Sequence, residues 1–139
     1  MKRKIHRTAK EEPDPIKEAY RYLSNAKEIL SRIPIEYGIY KDSKYVSMAA
    51  ETAYIGALKA IDHYLLKKRN FNRDKLPNSY DGYRDAIQKY ILLNGKLSSA
   101  LTVAWQNLHV LGHYRGGVDK VMIKSGLENA ERIIKMMDV

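Results

Sequence analysis

The chain has 139 residues, 45% hydrophobic and 29% charged, enough apolar content to pack one domain and too much for a chain disordered throughout. It contains no cysteine, which excludes a disulfide, a thiol nucleophile and Cys-ligated zinc. The net charge of +9 is local: residues 1–10 hold five bases and no acid, residues 67–75 hold five bases against Asp74, and the other fifteen bases and fifteen acids cancel.

Residues 1–12 are expected to form a basic flexible tail and residues 13–139 a single helical domain. No secretory apolar stretch follows the basic start, and no apolar run approaches the roughly 18 residues of a membrane span. A cytoplasmic protein without membrane contact is the expectation.

Asp14 and Pro15 are placed to cap and open a first helix. Ile16, Ala19, Tyr20, Leu23, Ala26, Ile29, Leu30 and Ile33 then recur at three- and four-residue steps, and Pro34 ends the run. A short Tyr- and Ile-rich connection, 35–41, precedes a second cap at Asp42 and Ser43. The helix it opens runs to about Lys68 with an inward stripe of Ala49, Ala53, Gly56, Ala57 and Ala60, small enough for a neighbouring backbone to approach closely. That places it at the centre. Ser79 caps a third, shorter helix carrying Tyr83, Ala86, Ile87, Tyr90 and Ile91 on one face, and Asn94-Gly95 stops it. The fourth helix begins near Lys96–Ser98 with a seam of Leu97, Leu101, Ala104, Leu108 and Leu111, and ends around Gly116-Gly117. The fifth begins near Asp119 and repeats the seam at Ile123, Leu127, Ala130, Ile134 and Met137. No sustained period-two alternation predicts a strand. The fold class is all-α, an antiparallel up-and-down helical bundle of four long helices plus one shorter helix.

The stretch from Trp105 to Gly117 carries the residue types suited to chemistry. His109 and His113 lie four apart, on one helix face, followed by Tyr114 and Arg115. Such a pair can chelate an ion, but Val110 stands where a zinc protease needs glutamate, and a third ligand would have to come from Glu51, Asp62 or His63. No metal or cofactor is assigned. Alternatively, His113, with His109 and Arg115, is suited to acid–base work at a phosphate, the requirement of metal-independent RNA cleavage. The same three residues also suit the C-terminal turn of a helix, where positive groups meet the last carbonyls. Tyr83-Arg84-Asp85 places an arginine beside an acid. Eleven tyrosines against one phenylalanine is an unusual ratio, and tyrosines at helical spacing belong at a core rim with the hydroxyl outward.

The small-residue helix from Ala49 to Ala60, together with Gln106, Asn107, His109, His113 and Tyr114, resembles the HEPN-type helical bundles. These are compact, often dimeric all-α domains associated with prokaryotic RNases, toxins and nucleotidyltransferase partners. The resemblance implies RNA or nucleotide contacts at Gln106, Asn107, Tyr114 and Arg84; by their charge alone, the basic tail and the 67–75 loop, with Lys67, Lys68, Arg69 and Arg73, are expected to add salt-dependent attraction to phosphates. The position of the family's arginine is Gln106, and a neutral amide supplies no charge to a scissile phosphate. Either Arg115 or Arg84 supplies it from elsewhere or the chain is a non-cleaving relative. The expected function is therefore a binding module for RNA, nucleotide or a protein partner, as a homodimer. The alternatives are a metal-independent RNase and a structural protein-interaction bundle.

Overall fold

The computed structural model describes residues 13–92 and 94–139; the basic tail expected over residues 1–12 lies outside them. Five helices pack against one another. Helix α1 spans Pro15–Ser31, α2 Ser43–Lys68, α3 Tyr80–Tyr90, α4 Gly95–Ala104 and α5 Lys120–Met137. A π-helical segment, Trp105–Tyr114, continues α4 without a break, so the bundle has four long rods and one short one.

Four of the five helix starts follow from a side-chain cap, and α4 begins after Asn94 without one. The Asp14 carboxylate accepts from the Ile16 N–H, Asp42 from Tyr45, the Ser79 hydroxyl from Gly82 and Asp119 from Met122, satisfying donors that the first turn leaves free. Asn94 closes α3 from the far side, its amide donating to the carbonyls of Ile87 and Ile91 at 3.2 and 3.1 Å.

Helix α2 is central, packed on α1, on α5 and on the π segment, while α3 lies at the margin. Its small-residue stripe is buried as the sequence predicts. Gly56 sits so near α1 that a β-carbon there would lie 3.1 Å from the Ala19 carbonyl. No helix among the described residues is long and apolar enough to cross a membrane.

Two features depart from the sequence reading. Within 35–41, β1 (Ile35–Glu36) and β2 (Ile39–Tyr40) form an antiparallel hairpin around Tyr37 and Gly38, both at positive φ. Positive φ at both loop residues is the type I′ turn, whose twist matches paired strands. Two-residue strands are too short to register as an alternation. The hairpin is tied to the start of α5, with Tyr40 N–H donating to Val118 O and Lys120 N–H to Gly38 O.

The second departure is the π segment, ten residues long where such turns are mostly single. Its bonding is shown by Arg115 N–H donating to Val110 O, five residues back, at 2.9 Å. The inward residue after Leu108 is Gly112, and Leu111 is only half-buried. A β-carbon on Gly112 would lie 2.9 Å from both the Ala50 Cβ and the Ile123 Cδ1, so the segment is wedged between α2 and α5. On α5, Gly126 makes the matching space for Leu108.

Substituting Gly112→Ala therefore forces overpacking, which costs roughly 1–3 kcal/mol, against about 1 kcal/mol gained in helix propensity. The expected outcome is a net drop in the chemical denaturation midpoint. A variant as stable as the parent would show that the wedge is slack.

Candidate functional site

Along one face α2 presents half-buried Ser47 and Glu51 and buried Tyr54, spaced at helical steps, to the π segment running beside it. The two form a ladder. Ser47 meets His113, while Glu51 and Tyr54 both meet His109. The Nδ1 of His109 is 2.8 Å from Glu51 Oε1, and the ring centroid is 5.1 Å from that of Tyr54. A carboxylate only accepts, so the Nδ1 position carries the proton and Nε2 is left for a ligand. For His113, Nδ1 lies 3.1 Å from Ser47 Oγ and 3.3 Å from the Ser47 carbonyl, while the Ser47 hydroxyl donates to the His113 carbonyl at 2.9 Å. That arrangement again puts the ring proton on Nδ1. The two imidazoles are 6.1 Å apart and nearly parallel.

A cleft of about 310 Å³ opens beside this ladder, between α2, the π segment and the Pro77–Ser79 entry to α3. Its lining includes Glu51, Tyr54, Tyr80, Tyr83, Trp105 and His109. Tyr80 stacks on Trp105 with centroids 4.2 Å apart, and its hydroxyl is 3.2 Å from Thr102 Oγ1. The stack also borders a second concavity that contains Arg84, whose guanidinium carbon lies 5.7 Å from the Tyr80 ring centroid. Arg84 and His109 thus line two neighbouring concavities that share this pair of aromatic rings.

At the inner end Tyr83 donates to Asp62 Oδ1 at 2.8 Å. Burial pushes the Asp62 carboxyl up to about 6, even though the Tyr83 hydrogen bond and the charges of Lys59 and Arg73 pull the other way. Burial likewise raises the Tyr54 and Tyr83 phenols well above the usual tyrosine range. Both hydroxyls are therefore neutral donors.

The structure gathers some of the sequence-predicted residues and separates others. His109 reaches the cleft. His113 stands next to it but is exposed, and Arg115 folds over the exposed Tyr114 ring at 5.5 Å, outside the cleft. Gln106 is exposed. Asn107 turns inward, donating to the Met122 carbonyl at 3.0 Å, so its amide ties the π segment to α5. Lys67 and Lys68 lie at the far end of α2, about 30 Å along the helix from Ser47 at 1.5 Å per residue. Arg69 there covers the Tyr90 ring. Arg73 sits in a 3₁₀ turn, Arg73–Lys75, four residues ahead of the cleft's Pro77 edge, and acts on Asp62.

Of the suggested third metal ligands only Glu51 meets a histidine. His63 is buried with its Nε2 unpartnered among the described residues, and no group of three or more His, Asp or Glu gathers there to hold an ion. The sequence reading did not single out Tyr54, Tyr80 or Trp105 as a site. Trp105 carried a usable signal, since it precedes His109 by four residues on the same helix.

The model of the DUF5618 family, described as a domain of unknown function, matches residues 14–139. Among solved structures, a protein of unknown function from Dyadobacter fermentans is similar at 35% identity and a TM-score of 0.72. That similarity covers 88% of this chain and 92% of the other. No curated protein matches the chain.

The raised Asp62 carboxyl binds its proton more tightly when folded than in an unfolded chain, where its pKa is about 3.9. Its protonated form favours folding, so its contribution is full below about pH 4 and is lost as pH rises through about 6. Unfolding titrations across that window should show the parent losing on the order of 1–3 kcal/mol relative to Asp62→Asn. Parallel curves would refute the burial argument.

Proposed function

The chain belongs to the DUF5618 family, and from the cleft we propose that it is a non-catalytic binding module for a single-stranded RNA segment or a nucleotide. One observation carries this reading: a Tyr80–Trp105 stack shared by two concavities, one holding Arg84 and the other the Glu51–His109 pair. Aromatic faces hold bases by stacking, worth about 1–3 kcal/mol per base, while guanidinium and imidazole groups suit the phosphates between them. The lining follows α2 from Glu51 to Leu58, and Asp62 continues it through Tyr83.

The bundle is read as HEPN-like, on its helix order and on Asn107, His109, His113 and Tyr114, and as a homodimer. A second reading, a metal-independent RNase using His113 with His109 and Arg115, is favoured by the shared tethering of both rings through Nδ1. In either reading Arg84 and the 67–75 loop supply salt-dependent attraction.

Trp105 is the chain's single tryptophan, so its fluorescence reports on the cleft directly. Titration with a short single-stranded RNA or with adenosine monophosphate at low salt should quench it. Tyr80→Ala and Arg84→Ala should each weaken binding about tenfold, the loss of one stacking contact or one phosphate contact. An unchanged emission with both ligands would remove this reading in favour of a protein-interaction bundle. RNA cut in the presence of a chelator, and left intact by His113→Ala, would shift it to the RNase.

A further inference from the structure

The hairpin end of the molecule presents an anomaly that the cleft does not use. Tyr37 is 95% exposed at the tip of a tight turn, with φ +53°. A type I′ turn favours Asn, Asp or Gly there, so a tyrosine costs conformational energy while covering nothing in its own chain. Tyrosine is also among the residues most enriched at the centres of protein interfaces.

Beside the turn lies a free sheet edge. Lys41 N–H donates to Pro34 O, and Tyr40 N–H points the other way, to Val118 O. In antiparallel pairing the residue opposite Tyr40, which is Ile35, then directs its own N–H and C=O away from β2. β2 is covered on its far side by the Ile39–Asp119 bridge, so β1 is the open edge. The edge is two residues long and bordered by Pro34, so what it offers another strand is one N–H and one C=O, those of Ile35.

Next to that edge is a groove of about 590 Å³, whose apolar wall is Ile29, Ile33, Pro34 and Tyr45. The charges around it balance locally: Glu28 pairs with Arg32, Glu36 with Lys41, and Asp42 offsets Lys44. The excess positive charge belongs to residues 1–10 and 67–75, outside this patch, so a second copy meets balanced charge here and no like-charge repulsion.

We infer that this end is the contact through which two copies of the chain associate, β1 against β1 about a two-fold axis. A two-fold contact sets each residue against its own symmetry-related neighbourhood. Centred on Ile35, where the free N–H and C=O of both copies exchange bonds, the register is fixed: two residues forward in one strand lies opposite two residues back in the other. Tyr37 of one copy therefore falls beside Ile33 of the other, at the groove. The same register brings Glu36 of one copy opposite Pro34 of the other, next to Arg32. Knob and groove are filled twice by one operation, and the strained tyrosine gains a role.

Light scattering on a sizing column should show the full chain as a dimer across micromolar concentrations. Tyr37→Asn, a residue suited to the turn, should raise the dimer dissociation constant at least tenfold with no loss of monomer stability on melting. Because the chain lacks cysteine, I35C can be joined by a short bis-maleimide. It should cross-link rapidly, whereas L92C, at the exposed α3–α4 connection, should not. A monomeric parent chain would overturn the inference, as would Y37N dimerising like the parent. A dimer in which I35C cross-links no faster than L92C would place the contact elsewhere and overturn it too.

Discussion

The absence of a β-carbon at Gly112 lets a helix pass between Ala50 and Ile123 at a distance that no other residue permits. With the segment held from both sides, Leu108 is driven into the space left by Gly126 and Asn107 is bound to the Met122 carbonyl. The side chains on the remaining face have one place to go, which is the face of α2 that carries Ser47, Glu51 and Tyr54. The pairing of His113 with Ser47 and of His109 with Glu51 is thus a consequence of core packing. The π bonding widens the helix at this point, and such distortions persist where surrounding structure over-determines them.

Helix α2 consequently serves two faces with two kinds of residue. Its alanines and Gly56 admit α1 and the π segment at close range, and its polar positions Ser47, Glu51 and Asp62 meet partners on other elements. Groups held by rigid helices keep their geometry better than groups on loops, and the His109–Glu51, Tyr83–Asp62 and Tyr80–Thr102 contacts are all made between helices. Only the Pro77–Ser79 edge is irregular, and there the Ser79 cap fixes the chain. Only part of the positive charge bears on this machinery. Arg73 reaches it through Asp62, and Arg84 through the Tyr80 ring, while Lys67 and Lys68 end α2 in solvent.

How much of this was legible depends on the range of the signal. Caps are local, and Asp14, Asp42, Ser79 and Asp119 all act where their sequence context places them. Helical periodicity is nearly local, and the core stripes of α1, α2 and α5 follow it. The π segment was not legible, because the i→i+5 pattern has no residue signature beyond Gly112, and the heptad step from Leu108 to Leu111 hides the shift. The hairpin escaped for a similar reason: two-residue strands carry no period, and Tyr-Gly is an uncommon filling for its turn. At the site, Glu51 was a named partner for the histidines, since both lie on helices that were correctly placed. The Tyr80–Trp105 stack joins residues 25 apart across three elements, which depends on how α3 docks and not on any local pattern.

The excess of tyrosine over phenylalanine gains a physical reading from the same packing. Phenylalanine suffices where a ring is wholly enclosed, but several of these rings sit where one element borders another and the ring edge meets a polar group. Tyr20 donates to Asp138 at the chain's end, Tyr83 to Asp62, and Tyr80 lies within hydrogen-bond distance of Thr102. Each hydroxyl joins segments distant in sequence, while its ring contributes apolar surface. Tyr54 and Tyr83, with phenols raised by burial, keep their protons across the range in which Asp62 titrates. The Tyr83 bond therefore survives ionisation of Asp62 and strengthens with it, since a hydrogen bond to a charged acceptor is stronger than one to a neutral acceptor. That bond limits how far burial can raise the carboxyl, and it holds the inner wall of the cleft in one arrangement on both sides of the titration.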